Sequence, residues 1–170
     1  MRQYTTSQKS MHWLIAVMII ISLSVGFSFN WLPSSEFKNT LRNLHKLSGL
    51  IILGLVLVRV YFRLHTPAPP LQLGFYHKLI AKASHLFLYV MMFAMPVTGW
   101  VMSSAVKKMP YSLPTIPGIT YNKSLAGIFY NYHSTLGIVF TVMIMIHILA
   151  TLYHQLRGDL IFQRISFRIS

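Results

Sequence analysis

The chain contains no cysteine, and only two of its 170 residues are acidic, Glu36 and Asp159. The first absence excludes disulfides, thiolate metal sites and iron–sulfur clusters. It leaves histidine, present eight times, as the one soft ligand in quantity. Charge of either sign is scarce: 10% of residues are charged and 54% are hydrophobic, whereas a soluble domain carries about 25% charged residues. With a mean hydropathy of +0.55, the chain belongs in a bilayer. There is no internal repeat, no low-complexity segment and no run of basic residues. The net charge of +13 is dispersed over loops and both ends, which argues against nucleic acid as a partner. Arg2 and Lys9 precede the first apolar stretch as in a secretory leader, but no small-residue A-x-A site follows it. That stretch is expected to remain as a first span.

Four stretches reach the length of about 20 apolar residues that a helical crossing needs. They are expected as spans over residues 11–31, 44–64, 85–106 and 131–156, in a single domain covering 1–170. The fold class is therefore an all-α membrane protein, a four-transmembrane-helix bundle with lipid as its surroundings. The second span is broken early by Arg59, so it must end with Arg59 and Arg63 reaching toward an interface. The connectors "HTPAPPLQLG" and "MPYSLPTIPG" read as extended loops. At the exit of the first, "FYHKLIAKASH" mixes basic and apolar residues at near-helical spacing and is expected to lie along the membrane surface. An even number of spans puts both termini on one side. Cytoplasmic termini place nine basic residues inside (Arg2, Lys9, Arg59, Arg63, Lys78, Lys82, Arg157, Arg164, Arg168) and six outside (Lys38, Arg42, Lys46, Lys107, Lys108, Lys123), the orientation that the positive-inside rule favours.

An imidazole placed in hydrocarbon needs a partner, and "YHSTLGIVFTVMIMIH" holds two, His133 and His147, fourteen positions apart. At 100° and 1.5 Å per residue, that spacing falls about 40° short of four turns and climbs about 21 Å. Both rings share one face at two depths. With antiparallel spans, His12 matches the depth of His147, and His45 that of His133. The same step of fourteen leads from His12 to Gly26 and from His45 to Arg59. Such a glycine leaves room for a flat cofactor beside the backbone, and the arginine can pair an acidic group on the inner one. Gly49 and Gly137, one turn beyond His45 and His133, are expected to leave room in the same way. Two opposed histidine pairs suit iron porphyrin with axial imidazoles, whereas zinc wants three or four protein ligands at one level. A single histidine at a span end is ordinarily an interfacial residue; the joint pattern of four carries the reading. His65 and His77 read as solvated loop residues, and His85 and His154 stand outside the two-level scheme as structural or supporting residues. Gly54, Gly99 and Pro96 read as helix-packing features.

"MHW" at 11–13, "LHKLSG" at 44–49, "RVYFR" at 59–63, "HLFLYVMMFAMPVTG" at 85–99, and "YHSTLG" with "MIH" in the last span resemble the bacterial cytochrome b561 family. They are also similar to the cytochrome b subunits of membrane hydrogenases and formate dehydrogenases. The resemblance implies a bundle in the bacterial inner membrane enclosing two b haems. His12 and His147 would be axial to the inner iron, His45 and His133 to the outer, and Arg59 would meet a haem propionate. Family members often continue with a tandem histidine, an aspartate and a basic tail. Here "YHQLRGDLIFQRIS" keeps His154, Asp159 and Arg164.

The resemblance further implies electron transfer between the quinone pool and a second partner, which one branch of the family takes to be superoxide. The leading expectation is a dihaem oxidoreductase accepting electrons at the outer face, from superoxide or a periplasmic redox protein, and delivering them to quinone. The alternatives are a relay or anchor subunit for a separate redox enzyme, and a channel or transporter whose histidines carry protons or metal ions. The outer loops, with six basic residues against Glu36, would attract an anion or an acidic partner face.

Overall fold

The computed structural model describes residues 3–66, 74–159 and 161–167. Arg2 and Arg168 of the orientation count, and residues 67–73 of the first proline connector, lie outside the described residues. Four helices follow in order: α1 (Thr6–Ser28), α2 (Glu36–His65), α3 (Phe75–Ala105) and α4 (Lys123–Leu156), then a 3₁₀ turn, η1 (Phe162–Arg164). Among the described residues there is no strand.

Each helix start has a local cause. Thr5 and Gln8 form a reciprocal capping box on α1, Ser35 accepts from the Lys38 amide on α2, and Asn122 accepts from the Leu125 amide on α4, satisfying amides the helix leaves unpaired. The last three helices, of 30, 31 and 34 residues, outrun the apolar spans. "FYHKLIAKASH" is accordingly the opening of α3 rather than a separate surface helix. His65 and His77, expected in a loop, are the last residue of α2 and a first-turn residue of α3. The apolar window measures the hydrocarbon, whereas the helix runs on through Lys, His and Tyr, which tolerate it, as far as the proline and glycine of the connector.

Each helix packs on its neighbour in sequence, α1 on α2, α2 on α3 and α3 on α4, while α1 and α4 make little contact of their own. The core is small: Ile15, Ile19, Ile52, Val56, Met91 and Phe140, contributed by all four helices. Most of the remaining apolar side chains face outward, with Ile21, Leu57 and Ile138 all more than half exposed, the inverse of a soluble bundle and the pattern of a surface wetted by lipid. All four helices are long and apolar enough to cross a membrane.

The two ends are closed differently. At the end away from the termini, the second proline connector is folded rather than extended. The Ile116 amide donates to Ser104 Oγ, Trp100 Nε1 to the Pro114 carbonyl and the Asn122 amide to the Ala105 carbonyl. At the end carrying the termini, residues 161–167 return beneath the bundle. There the Tyr4 amide donates to the Arg164 carbonyl, Trp13 Nε1 donates to the Ile165 carbonyl, and Trp13 packs edge-on against Phe162.

Candidate functional site

Two cavities lie one above the other in the bundle. Ile19, Met92 and Phe140 line both and form the partition between them. The distal cavity, away from the termini, encloses about 50 Å³ and is lined by His45, Gly49, Ser22, Met95, Pro96 and His133 among others. The terminal cavity encloses about 420 Å³ and is lined by His12, Arg59, His85 and His147, with Arg63 and Arg164.

At the distal level, the ring centres of His45 and His133 are 6.1 Å apart with their planes at 89°. Nδ1 of His45 lies 3.1 Å from Ser22 Oγ, and Ser48 Oγ stands behind that hydroxyl at 3.4 Å. Nδ1 of His133 lies 3.0 Å from the Met95 carbonyl and 3.1 Å from Thr98 Oγ1. A carbonyl accepts only, so Nδ1 of His133 carries the proton. In both rings Nε2 is then the nitrogen available to a metal, held by the kind of outer partner that orients ligand imidazoles. A glycine stands beside the Cε1 edge of each ring. A Cβ on Gly26 would stand 3.4 Å from His45 Cε1, and one on Gly99 only 3.1 Å from His133 Cε1. Gly49, expected beside the ligands, lines the distal cavity with His45 and faces Pro96, while Gly137 faces Met95 of α3.

At the terminal level, Arg59 joins two helices to its own: Nη2 is 3.1 Å from His12 Nδ1 on α1, and Nε donates to the Tyr89 hydroxyl on α3 at 3.3 Å. His147 lines the same cavity as His12, as the spacing requires, yet its nearest ring partner is His85, with centres 5.7 Å apart and planes at 66°. His85 thus belongs to this level rather than outside the scheme. Three histidines face this cavity, but no group of three ligands converges on a bare metal ion among the described residues. His154 sits beyond the cavity, paired with Asp159 at 2.7 Å and against the ring of His77.

His85 and Gly99 are the residues that sequence reasoning placed elsewhere, and the signal for them was present. They are fourteen apart, as are His12 and Gly26, His45 and Arg59, and His133 and His147. Every helix therefore carries one position at each level. The distal level reads Gly26, His45, Gly99, His133 in chain order, and the terminal level His12, Arg59, His85, His147.

Comparison with known proteins bears on this arrangement. The family model for prokaryotic cytochrome b561 matches residues 3–167. The chain belongs to the prokaryotic cytochrome b561 family. It is similar to cytochrome b561 homolog 2 of Escherichia coli (strain K12), 28% identical over 110 residues, 61% of this chain and 56% of that one. It is similar also to the probable superoxide oxidase CybB of Yersinia pestis, 25% identical over 166 residues, 91% of this chain and 89% of that one. Membership makes this protein a membrane electron carrier and implies b-type haem.

The residues present fit that group. The chain has no cysteine for thioether attachment, so a haem here would be held without a covalent bond from its vinyl groups to the chain. The distal imidazoles have their Nδ1 atoms engaged and a glycine beside each Cε1. The terminal cavity has the larger room and guanidinium groups suited to carboxylates. When bound, the haem supplies one-electron oxidation and reduction at its iron.

Proposed function

We propose that this cytochrome holds two b haems, one between His45 and His133 and one bound by His12 and His147, and that it carries electrons between them to quinone. The distal pair carries the reading: two rings at 6.1 Å, nearly perpendicular, each with Nδ1 engaged and a glycine beside its Cε1. A metal shared by the two rings would hold their nitrogens about 4 Å apart, at about 2 Å from each, and ring centres at 6.1 Å suit that separation. Arg59 is the proposed partner of a propionate at the terminal level. The orientation is that of the positive-inside count, with both termini cytoplasmic and the distal level at the outer face of a bacterial inner membrane.

Charge at the outer end supports superoxide as the donor. Lys46 succeeds His45 directly and donates to the Lys108 carbonyl at 2.6 Å, so the cationic side chains of α2 and of the loop after α3 meet close to the distal histidines. This rim raises the local concentration of a small anion, and superoxide is the anion named for the Yersinia relative. Two superoxide ions give up one electron each and leave as dioxygen. One quinone takes two electrons and two protons from the inner side and leaves as quinol. In this reading, purified protein in detergent, with no other protein added, is reduced by superoxide and reoxidised by an added quinone. Reduction that requires a partner protein identifies a relay instead, and the lack of a split b-type band in the reduced-minus-oxidised spectrum overturns both.

A further inference from the structure

A hydroxyl inside an apolar helix commonly bonds a carbonyl of its own preceding turn. On α1, Ser24 Oγ donates to the Ile20 carbonyl and Ser28 Oγ to the Val25 carbonyl. Ser22, on the same helix, is turned toward α2: its Oγ lies 3.1 Å from Nδ1 of His45 and 3.4 Å from Oγ of Ser48. It precedes Gly26 by one turn, so the face of α1 that leaves room beside the His45 ring also supplies the hydroxyl. Ser48, three residues after His45, donates to the His45 carbonyl at 2.9 Å.

The direction of these bonds is set at the far end. A carbonyl only accepts, so the single hydrogen of Ser48 Oγ goes to the His45 carbonyl, the nearer of its two partners. Ser48 is then left to accept from Ser22, and Ser22, its own hydrogen spent, accepts from Nδ1 of His45. A lone hydroxyl could take either role toward an imidazole; two hydroxyls closed on a carbonyl take one.

We infer, on the reading of the distal cavity as a haem site, that Ser22 and Ser48 are positioning residues of the outer haem's ligand, a relay that keeps the His45 proton on Nδ1, leaves Nε2 for the iron and tunes that haem's potential. His133 receives the same control directly, from the Met95 carbonyl at 3.0 Å. An acceptor on Nδ1 makes a ligand imidazole more basic. It thereby favours the oxidised iron and lowers the potential, and hydrogen bonds in a chain strengthen one another.

The experiment is a redox titration and a haem count on the purified holoprotein bearing Ser22→Ala, Ser48→Ala, both together, or Ser22→Thr, with Ser24→Ala as control. Ser22→Ala is expected to raise the outer midpoint potential, to loosen the outer haem by roughly 10–100-fold and to leave the inner haem unchanged. Ser48→Ala, which keeps the hydroxyl beside the ring, should shift the outer potential the same way but less. The double variant should shift it no further than Ser22→Ala alone, because Ser48 acts only through Ser22. Ser22→Thr restores a hydroxyl and should recover most of the potential, and Ser24→Ala should move neither haem. An outer potential unmoved by Ser22→Ala overturns the inference, as do shifts that simply add in the double variant. Equal changes at both haems also overturn it, marking residues that serve only the fold. Where Ser22→Ala sheds the outer haem altogether, Ser48→Ala decides, and an unmoved outer potential there overturns the relay. A wild-type protein without an outer haem fails the underlying haem reading, and is told apart because no variant is needed to see it.

Discussion

Nη2 of Arg59 lies 3.1 Å from Nδ1 of His12. A guanidinium can only donate, so in this contact Nδ1 of His12 accepts and is unprotonated. An imidazole ligating through Nε2 has the opposite tautomer, with its proton on Nδ1. His12 cannot both ligate in that way and accept from Arg59. Ligation therefore releases the guanidinium, and an anionic group on the ligand is the natural place for it to go. His133, whose Nδ1 already faces the Met95 carbonyl, needs no such exchange.

Arg59→Leu should accordingly lower the midpoint potential of the inner haem and spare the outer. One charge about 8 Å from the iron, at an effective dielectric near 20, corresponds to a shift on the order of 50–100 mV for one electron. Potentiometric titration of the split b-type band measures it. An unchanged inner potential would make Arg59 a snorkelling residue and nothing more.

Single-ligand variants test the levels. His133→Ala should remove the outer haem and His147→Ala the inner, each halving haem per protein, while His65→Ala leaves the spectrum intact. Since His85 and His12 both face the cavity beside His147, the informative comparison is His12→Ala against His85→Ala. Loss of the inner haem in the first and retention in the second supports the proposed axial pair; the reverse assigns His85 to the iron.

Gly99→Ala puts a methyl group 3.1 Å from His133 Cε1, so the ring must shift. The outer haem should bind less tightly and its absorption band should move. Gly26→Ala, with 3.4 Å to His45, should do the same more mildly. Gly54→Ala meets nothing within 4 Å and should leave both haems as they are, with helix stability improved by up to about 1 kcal/mol.

Phe140, 3% exposed, stands in the partition between the cavities. Phe140→Ala should cost about 3–5 kcal/mol and be read as a lowered thermal midpoint. It should also join the two cavities, so that loss of one haem is followed by loss of the other rather than occurring independently.

Charge reversal at the outer rim, Lys107→Glu with Lys108→Glu, should slow reduction by superoxide. Added salt should slow the parent protein and affect the variant less, because screening acts over about 8–10 Å at ordinary ionic strength. Stopped-flow rates against salt concentration give the answer. Rates indifferent to both charge and salt would remove superoxide steering from the proposal.

His45, His133, Gly26 and Arg59 were legible in the sequence because their placement depends only on the pitch of a helix and the alternation of spans. His85 and Gly99 obey the same pitch. They escaped because the step of fourteen was applied to the histidines of α1, α2 and α4 and not to α3, where glycine and proline have an ordinary packing explanation. The helix ends were not legible, since hydropathy marks where lipid ends rather than where the helix does. The fold of residues 161–167 could not be read at all. Trp13 and Ile165 are 152 positions apart, and no local pattern announces a hydrogen bond between chain ends.

The near absence of contact between α1 and α4 bears on how the protein is made. Each substantial helix interface joins neighbours in the chain, so a helix leaving the ribosome finds its partner already in the membrane, and three sides of the bundle assemble in the order of synthesis. The fourth side joins α1 to α4, and its fastening, Tyr4 and Trp13 to residues 164 and 165, forms only after α4 has been made. Until then the nascent bundle is an open trough with its histidines facing the gap. The segment that shuts that gap, residues 161–167, follows all four helices in the order of synthesis.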